Sequence, residues 1–331
     1  MSDSSSGGES RRGFPAELEG WFARRTLLGS PDPEEAAALK RERGLSVSVC
    51  LPALDEEATI GAICTTIATE LVGGCGLVDE LIVVDSGSSD ATAAEARGAG
   101  ATVVRAAEVL HDEVGNVPGG KGEVLWKSLA VATGDIVVWL DSDTKGFGSH
   151  FVTNLVAPLL EDDAILLCKG FYRRPLATEA GHLGEGGGRV TELAARPLLG
   201  LLFPELAGVV QPLSGEYAGR AAVLRSLPMF TGYAVEAGIL IDLVARYGLE
   251  ALAQADLGTR VHRNRDVRSL GRMSAEIMSA ILARAEDHGR IKMGEGLDPL
   301  LVQYEEGAGH PRPLVARVEL AQRPPMDEVL R

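Results

Sequence analysis

The stretch DIVVWLDSDT, residues 135–144, decides how the chain folds. Its apolar run, Ile136 to Leu140, is too short for a helix and has no polar alternation. That pattern suits a strand buried on both faces, the kind found inside a parallel sheet. Upstream, KGEVLWKSLAVATG (121–134) reads as a helix and TVVRA (102–106) as a strand. SSDATAAEARGAG (88–100) is a helix with its stop, and ELIVVD (80–85) is a strand. EEATIGAICTTIATEL (56–71) reads as a helix, and SVSVCLPAL (46–54) as a strand. Alternation of this kind predicts an α/β fold with a mostly parallel sheet flanked by helices. Such sheets bind ligands at the carboxyl ends of their strands. Three of those ends carry polar clusters: Pro52–Glu57, Asp85–Asp90 and Asp141–Thr144.

Outside this frame the pattern loosens. From Phe14 to about Arg43 it is helical, with Pro33, Glu34 and Glu35 suited to a helix start. AILLCKGFYR (164–173) reads as a strand, and the glycine-rich 177–189 as a mobile loop. Helical runs are predicted at 190–203, 219–227 and 234–247, followed by ALAQADLG as a strand. A last helix covers about 273–287, and 294–331 reads as an arm suited to packing on a second subunit.

With 32 Lys+Arg against 47 Asp+Glu, the 331 residues carry a formal charge of −15. That balance argues against a general nucleic-acid binder, which needs surplus cations to neutralise phosphates. No apolar run approaches the roughly 20 residues of a membrane-spanning helix. The polar start MSDSSSGGESRRG lacks the apolar stretch of a signal peptide. A soluble, cytoplasmic protein is expected. Cys50, Cys64, Cys75 and Cys168 are scattered without CxxC spacing and are expected as buried, reduced thiols.

The chemistry gathers at the strand ends. Asp141 and Asp143, flanking Ser142, suit a hard divalent cation, which takes oxygen ligands from one or two carboxylates and from substrate phosphates. GNVPGGKG (115–122) departs from the nucleotide phosphate loop because Gly122 stands where Ser or Thr is required. Glycines before a helix that opens with Lys121 still suit an anion. Asp85–Asp90 offers side-chain oxygens to a ribose or base, and Glu56 stands where a nucleotide would lie. His262, in an Arg-rich stretch (Arg260, Arg263, Arg265, Arg268, Arg272), is a candidate third metal ligand, with Asn264 two residues on. Gly188-Arg189-Val190-Thr191 opens a helix and suits a phosphate or carboxylate.

Assembled in order, these pieces resemble the glucosyl- and mannosyl-3-phosphoglycerate synthases of glycosyltransferase family 81. The matching segments are PALDEE (52–57), DSGSSD (85–90), GGKGEVLWKS (119–128), DSDT (141–144), GRVTEL (188–193), QPLSGEYAGR (211–220), GYAVEAGILID (232–242) and VHRNR (261–265). The resemblance implies a type A glycosyltransferase fold and retaining transfer of a hexosyl group to 3-phosphoglycerate. The donor is GDP-mannose, GDP-glucose or UDP-glucose, and the cofactor Mg²⁺ or Mn²⁺. It implies donor contacts by Pro52, Leu54, Glu56, Ser86, Lys121, Asp141 and Ser142, and metal ligation by Asp143 and His262. Gly188, Arg189, Thr191 and Asn264, with Arg260, would hold the acceptor. Tyr233 and Glu236 would flank the transferred sugar, and the Leu213 carbonyl would lie near the attacking hydroxyl. Departures from the family pattern stand at Asp55, where Asn is frequent, and at Ser214, where Gly is.

On this reading 1–13 is a disordered tail and 14–150 a nucleotide-sugar-binding half with N-terminal helices. Residues 151–290 form an acceptor-binding half, and 291–331 the arm of a homodimer. Two alternatives stay open: a sugar-1-phosphate nucleotidyltransferase and a non-catalytic nucleotide-sugar sensor. The first would want a glycine-rich basic loop directly after the first strand, where PALDEE stands. The second would leave an acceptor site idle.

Overall fold

The structure, a computed structural model, describes residues 15–115, 120–173, 175–177, 183–185, 188–260, 266–294, 300–306 and 310–331. Its strands in chain order are β1 (Thr26–Leu27), β2 (Val47–Ala53), β3 (Glu80–Asp85), β4 (Thr102–Arg105), β5 (Ile136–Trp139), β6 (Leu167–Arg173), β7 (Pro175–Ala177), β8 (Leu183–Glu185), β9 (Tyr217–Arg220), β10 (Met229–Phe230), β11 (Leu252–Thr259), β12 (Leu300–Glu305), β13 (Arg312–Arg317) and β14 (Gln322–Arg323). Eight of them form one sheet in the order β1-β11-β6-β9-β5-β2-β3-β4. All pairings in it are parallel except those of β9, which runs antiparallel to both β5 and β6.

The central strands are buried on both faces, as the unbroken apolar runs require. One face packs against a core that includes Trp126, Trp139, Leu240 and Ile281. The other packs against Leu51, Ile60, Phe151 and Leu155. Helix His150–Glu161 is apolar nearly all round because it lies inside this second layer. All four cysteines are buried and free, as expected.

Helix Pro33–Arg43 begins where its signals said. Asp32 accepts from the Glu34 amide at 2.8 Å, and Gly44 closes the helix in the left-handed region. Four elements differ from the sequence reading. The segment 14–43 is two helices, Ala16–Arg25 and Pro33–Arg43, separated by edge strand β1. Within 177–189, expected as a loop, β8 pairs with β7 as an antiparallel hairpin. The first part of 219–227 is strand rather than helix, because β9 fills the gap between β5 and β6 and its pairing overrides local preference. The last long helix starts at Val267, with the Asp266 side chain accepting from the amides of Arg268 and Ser269. Strands from both sides of position 150 thus share one sheet.

Candidate active site

At the carboxyl ends of β2 and β3, two loops are joined by side-chain hydrogen bonds. Asp55 stands in the left-handed region (φ 54°) and its carboxylate accepts from the Ser89 amide at 2.8 Å. Asp and Asn tolerate that conformation best after Gly, so the exchange at this position keeps the turn. Ser88 donates to Asp85 at 2.6 Å, and the Glu56 amide donates to Thr92 at 2.7 Å. Ser86 continues the ladder, its amide donating to the Ala53 carbonyl at 2.9 Å. Leu54 and Ser86 are exposed on this rim, while Pro52 is half-buried. Ser142 is buried, and its hydroxyl donates to the Pro52 carbonyl at 2.7 Å. Of the expected donor contacts, Ser142 therefore ties strand ends β2 and β5 together.

After β5 lies the densest charge cluster. Lys121, first residue of helix Lys121–Val131, places Nζ 2.7 Å from Asp141 Oδ1 and 2.8 Å from Glu236 Oε1. Glu236 comes from the first turn of helix Val235–Tyr247 and is buried. Arg260, just past β11, is fully buried and meets Asp141 at 3.2 Å, with Asp143, Glu216 and the Tyr172 hydroxyl as further partners. Burial opposes the charge of Asp141, but Lys121 and Arg260 outweigh it and hold the carboxyl well below the usual range. Burial likewise opposes Lys121, and Asp141 with Glu236 holds its pKa above that of a free lysine. Arg260 is raised in the same way, chiefly by Glu216 against its own desolvation. Asp141, Lys121 and Arg260 therefore stay charged through the physiological range.

Arg260, expected with the acceptor, is a buried cation that meets both Asp141 and Asp143, because β11 delivers it to the strand ends. Of the other expected acceptor residues, Gly188 takes φ 85°, Arg189 is exposed, and Thr191 is buried at the start of the helical segment Thr191–Ala195. Tyr233 is partly exposed, and its amide donates to Glu276 at 3.0 Å. His262 and Asn264 lie outside the described residues.

Several site residues escaped the sequence reading. The turn 211–216, which carries Leu213, is held from below by Lys169, whose Nζ donates to the Ser214 carbonyl at 2.6 Å. The Ser214 hydroxyl donates to the Gly170 carbonyl, so the serine at this position is satisfied. Gly215 lies against Asp141; a Cβ there would sit 2.1 Å from Oδ1. Lys169 also lies 4.0 Å from the ring centre of Tyr217. A signal for Lys169 did exist: it is a charge in an otherwise apolar, strand-like run.

The donor set at Asp141 and Asp143 is all oxygen, and Asp143 is partly open to solvent. That chemistry fits a hard divalent cation. Among the described residues no group of three or more His, Cys, Asp and Glu comes together as a metal site.

Comparison with known proteins agrees with this geometry. The profile of the family described as "Glycosyl transferase family 2" matches residues 48–208. A glucosyl-3-phosphoglycerate synthase of Mycolicibacterium smegmatis is 49% identical over 283 residues, 86% of this chain and 89% of that one. The crystal structure of mannosyl-3-phosphoglycerate synthase from Rubrobacter xylanophilus superposes with a TM-score of 0.87 at 38% identity, covering 96% of this chain and 99% of that chain. Glucosyl-3-phosphoglycerate synthase from Mycobacterium tuberculosis, solved with Mn²⁺, UDP-glucose and phosphoglyceric acid, gives a TM-score of 0.79 at 44% identity, covering 93% and 99%. Sequence, fold and site converge: the chain is a glycosyltransferase and belongs to the glucosyl-3-phosphoglycerate synthase family.

Proposed function

We propose that this enzyme transfers the glucosyl group of UDP-glucose to 3-phosphoglycerate, with retention of configuration and with Mn²⁺ or Mg²⁺ as cofactor. The observation that carries the reading is Lys121 held between Asp141 and Glu236 at the strand ends. Support for glucose and UDP comes from the relatives' names and from the ligands of the Mycobacterium tuberculosis complex. Asp143 would hold the metal together with the donor diphosphate and His262. When bound, the ion supplies Lewis-acid stabilisation of the leaving diphosphate.

The protein's own groups account for the rest. The C1–O bond to the β-phosphate breaks and its electron pair leaves with UDP. The C2 hydroxyl of the acceptor forms the new bond to C1 and gives its proton to the departing phosphate oxygen. Lys121 meets the developing negative charge from a fixed, partly desolvated position, so no reorganisation is required as the bond breaks. Glu236, paired with Lys121, anchors sugar hydroxyls beside the oxocarbenium-like centre. Arg189 and Thr191 hold the acceptor's phosphate or carboxylate, offsetting its repulsion from an acidic protein. Holding both substrates in one cleft is worth roughly 7–11 kcal/mol of the barrier.

The deciding experiment measures nucleoside diphosphate release from UDP-glucose, GDP-glucose and GDP-mannose, each with and without 3-phosphoglycerate and with EDTA or Mn²⁺. UDP release that needs both acceptor and metal is expected, with an α-linked product by NMR. Preferred use of GDP-mannose would overturn the donor assignment. Release independent of the acceptor would overturn the transfer itself.

A further inference from the structure

Two residues beyond Lys121 on the same helix, Glu123 is 3% exposed. It meets Arg323 in a bidentate pair, Nε to Oε2 and Nη2 to Oε1, both at 2.8 Å. Arg323 Nη1 also donates to the carbonyl of Val114, where the segment before the glycine loop ends, at 3.2 Å. The neighbouring Trp126 indole donates to the Pro324 carbonyl at 2.8 Å, and the Arg323 guanidinium stacks 5.3 Å from the Trp126 ring centre. Arg323 lies on β14, which pairs with β10. One residue further the Thr231 amide donates to the Ala321 carbonyl at 3.0 Å.

Those contacts surround the start of the Lys121 helix. The Glu123 amide donates to the Thr231 carbonyl at 2.9 Å, and the Gly122 amide to the Gly232 carbonyl at 3.2 Å. The approach is so close that a Cβ on Gly122 would sit 1.9 Å from the Phe230 carbonyl oxygen. The 229–232 segment leads directly into Tyr233 and Glu236. The last strand of the chain is therefore fastened to both sides of Lys121: to Val114 ahead of it, and to the segment that delivers Glu236. Met326, fully buried, secures the strap's far end.

A buried ion pair is a poor source of stability, since desolvation offsets most of its attraction and apolar replacements often serve as well. A directional, bidentate pair does fix geometry. We propose that residues 318–331 form a positioning strap of the donor site. Arg323 is its pin, acting through Glu123 to aim Lys121 at the donor diphosphate. This rests on the reading of Lys121 as a diphosphate contact. Arg323 touches no substrate; it is a positioning residue.

The test uses the full-length enzyme and three variants: Lys121→Met, Arg323→Lys, and the double replacement of Glu123 and Arg323 by Met. The double replacement removes both charges of the pair together and keeps the apolar packing, while Lys127, 3.7 Å from Glu123, retains its bond to the Ala106 carbonyl. Expected are a donor KM raised tenfold or more and a Kd for UDP–Mn²⁺ raised in parallel. The KM for 3-phosphoglycerate stays within twofold and the melting temperature within a few degrees. Arg323→Lys, which keeps the charge but loses the fork, gives an intermediate donor effect, and it decides the matter should the double variant fail to fold. A folded variant whose donor KM stays within twofold of wild type, or whose two KM values rise equally, overturns the strap. Lys121→Met separates the two readings. If it leaves UDP–Mn²⁺ affinity unchanged, the diphosphate role of Lys121 falls and the strap's purpose with it. If it weakens affinity while the Arg323 variants do not, the strap alone falls.

Discussion

Gly215 shows how much of this site depends on a missing side chain. Its neighbour Asp141 is held from two sides by Lys121 and Arg260, so the carboxylate has nowhere to retreat. A methyl group 2.1 Å from Oδ1 has to displace it. Gly215→Ala is expected to lower kcat/KM by about 10²-fold, the size of effect that a misplacement of about 1 Å produces. Circular dichroism of the folded variant should be unchanged. Activity within threefold of wild type would show that the Asp141 position is not critical. The same crowding surrounds Arg260, whose burial the sequence does not show. An arginine in an Arg-rich stretch looks like a surface cation, and only the endpoint of β11 shows that three carboxylates enclose it.

Among the elements, the β12–β13 hairpin stands out. Its register sets Leu300, Val302 and Tyr304 opposite Arg317, Val315 and Pro313, and Leu300, Val302, Tyr304 and Val315 are exposed on one face. The opposite face leans on helix Val267–Asp287, where Gln303 donates to the Arg268 carbonyl at 3.1 Å. The arm expected from the sequence is thus divided. Its end, from Gln322 onward, docks on its own chain through β14 and helix Met326–Val329. Among the described residues of the arm, the hairpin keeps an apolar face, and the homodimer expected from the sequence would use it. Tyr304→Glu puts a charge on that face and should weaken self-association by a factor of about 30 or more, the loss of an aromatic anchor. Light scattering across a dilution series measures this; a wild-type chain monomeric at micromolar concentration would refute the dimer.

For the molecule as a whole, the buried Lys169 makes a prediction about stability. Burial is the main cause that brings its ammonium down to about 7, with Glu236 working against the fall and Lys121 adding to it. The unfolded chain keeps that proton up to about pH 10.5. Between pH 7 and that limit the unfolded state binds more protons, so this residue makes stability rise with pH, by at most about 1.4 kcal/mol per pH unit. Below pH 7 both states hold the proton and the slope vanishes. In urea unfolding at a series of pH values, the difference Lys169→Met minus wild type should fall as pH rises through this window. A difference independent of pH would mean that Lys169 titrates normally.

Local signals carried much of this architecture. The apolar runs ending in Pro52, Asp85 and Asp141 determined a mostly parallel α/β sheet with its chemistry at the strand ends, because two-sided burial and loop polarity are written in consecutive residues. They also singled out Lys121, Asp141 and Asp143. What they could not determine was pairing across long separations. The strand at Tyr217–Arg220 is one because β5 and β6 leave a gap that only an extended segment fills. Arg260, Lys169 and Gly215 serve the site because strands distant in sequence end at the same place. The C-terminal strand packs on the Lys121 helix because Glu123, some 200 residues earlier, provides the buried carboxylate that Arg323 meets. A charge acquires its role from what surrounds it, and those surroundings exist only once the chain has folded.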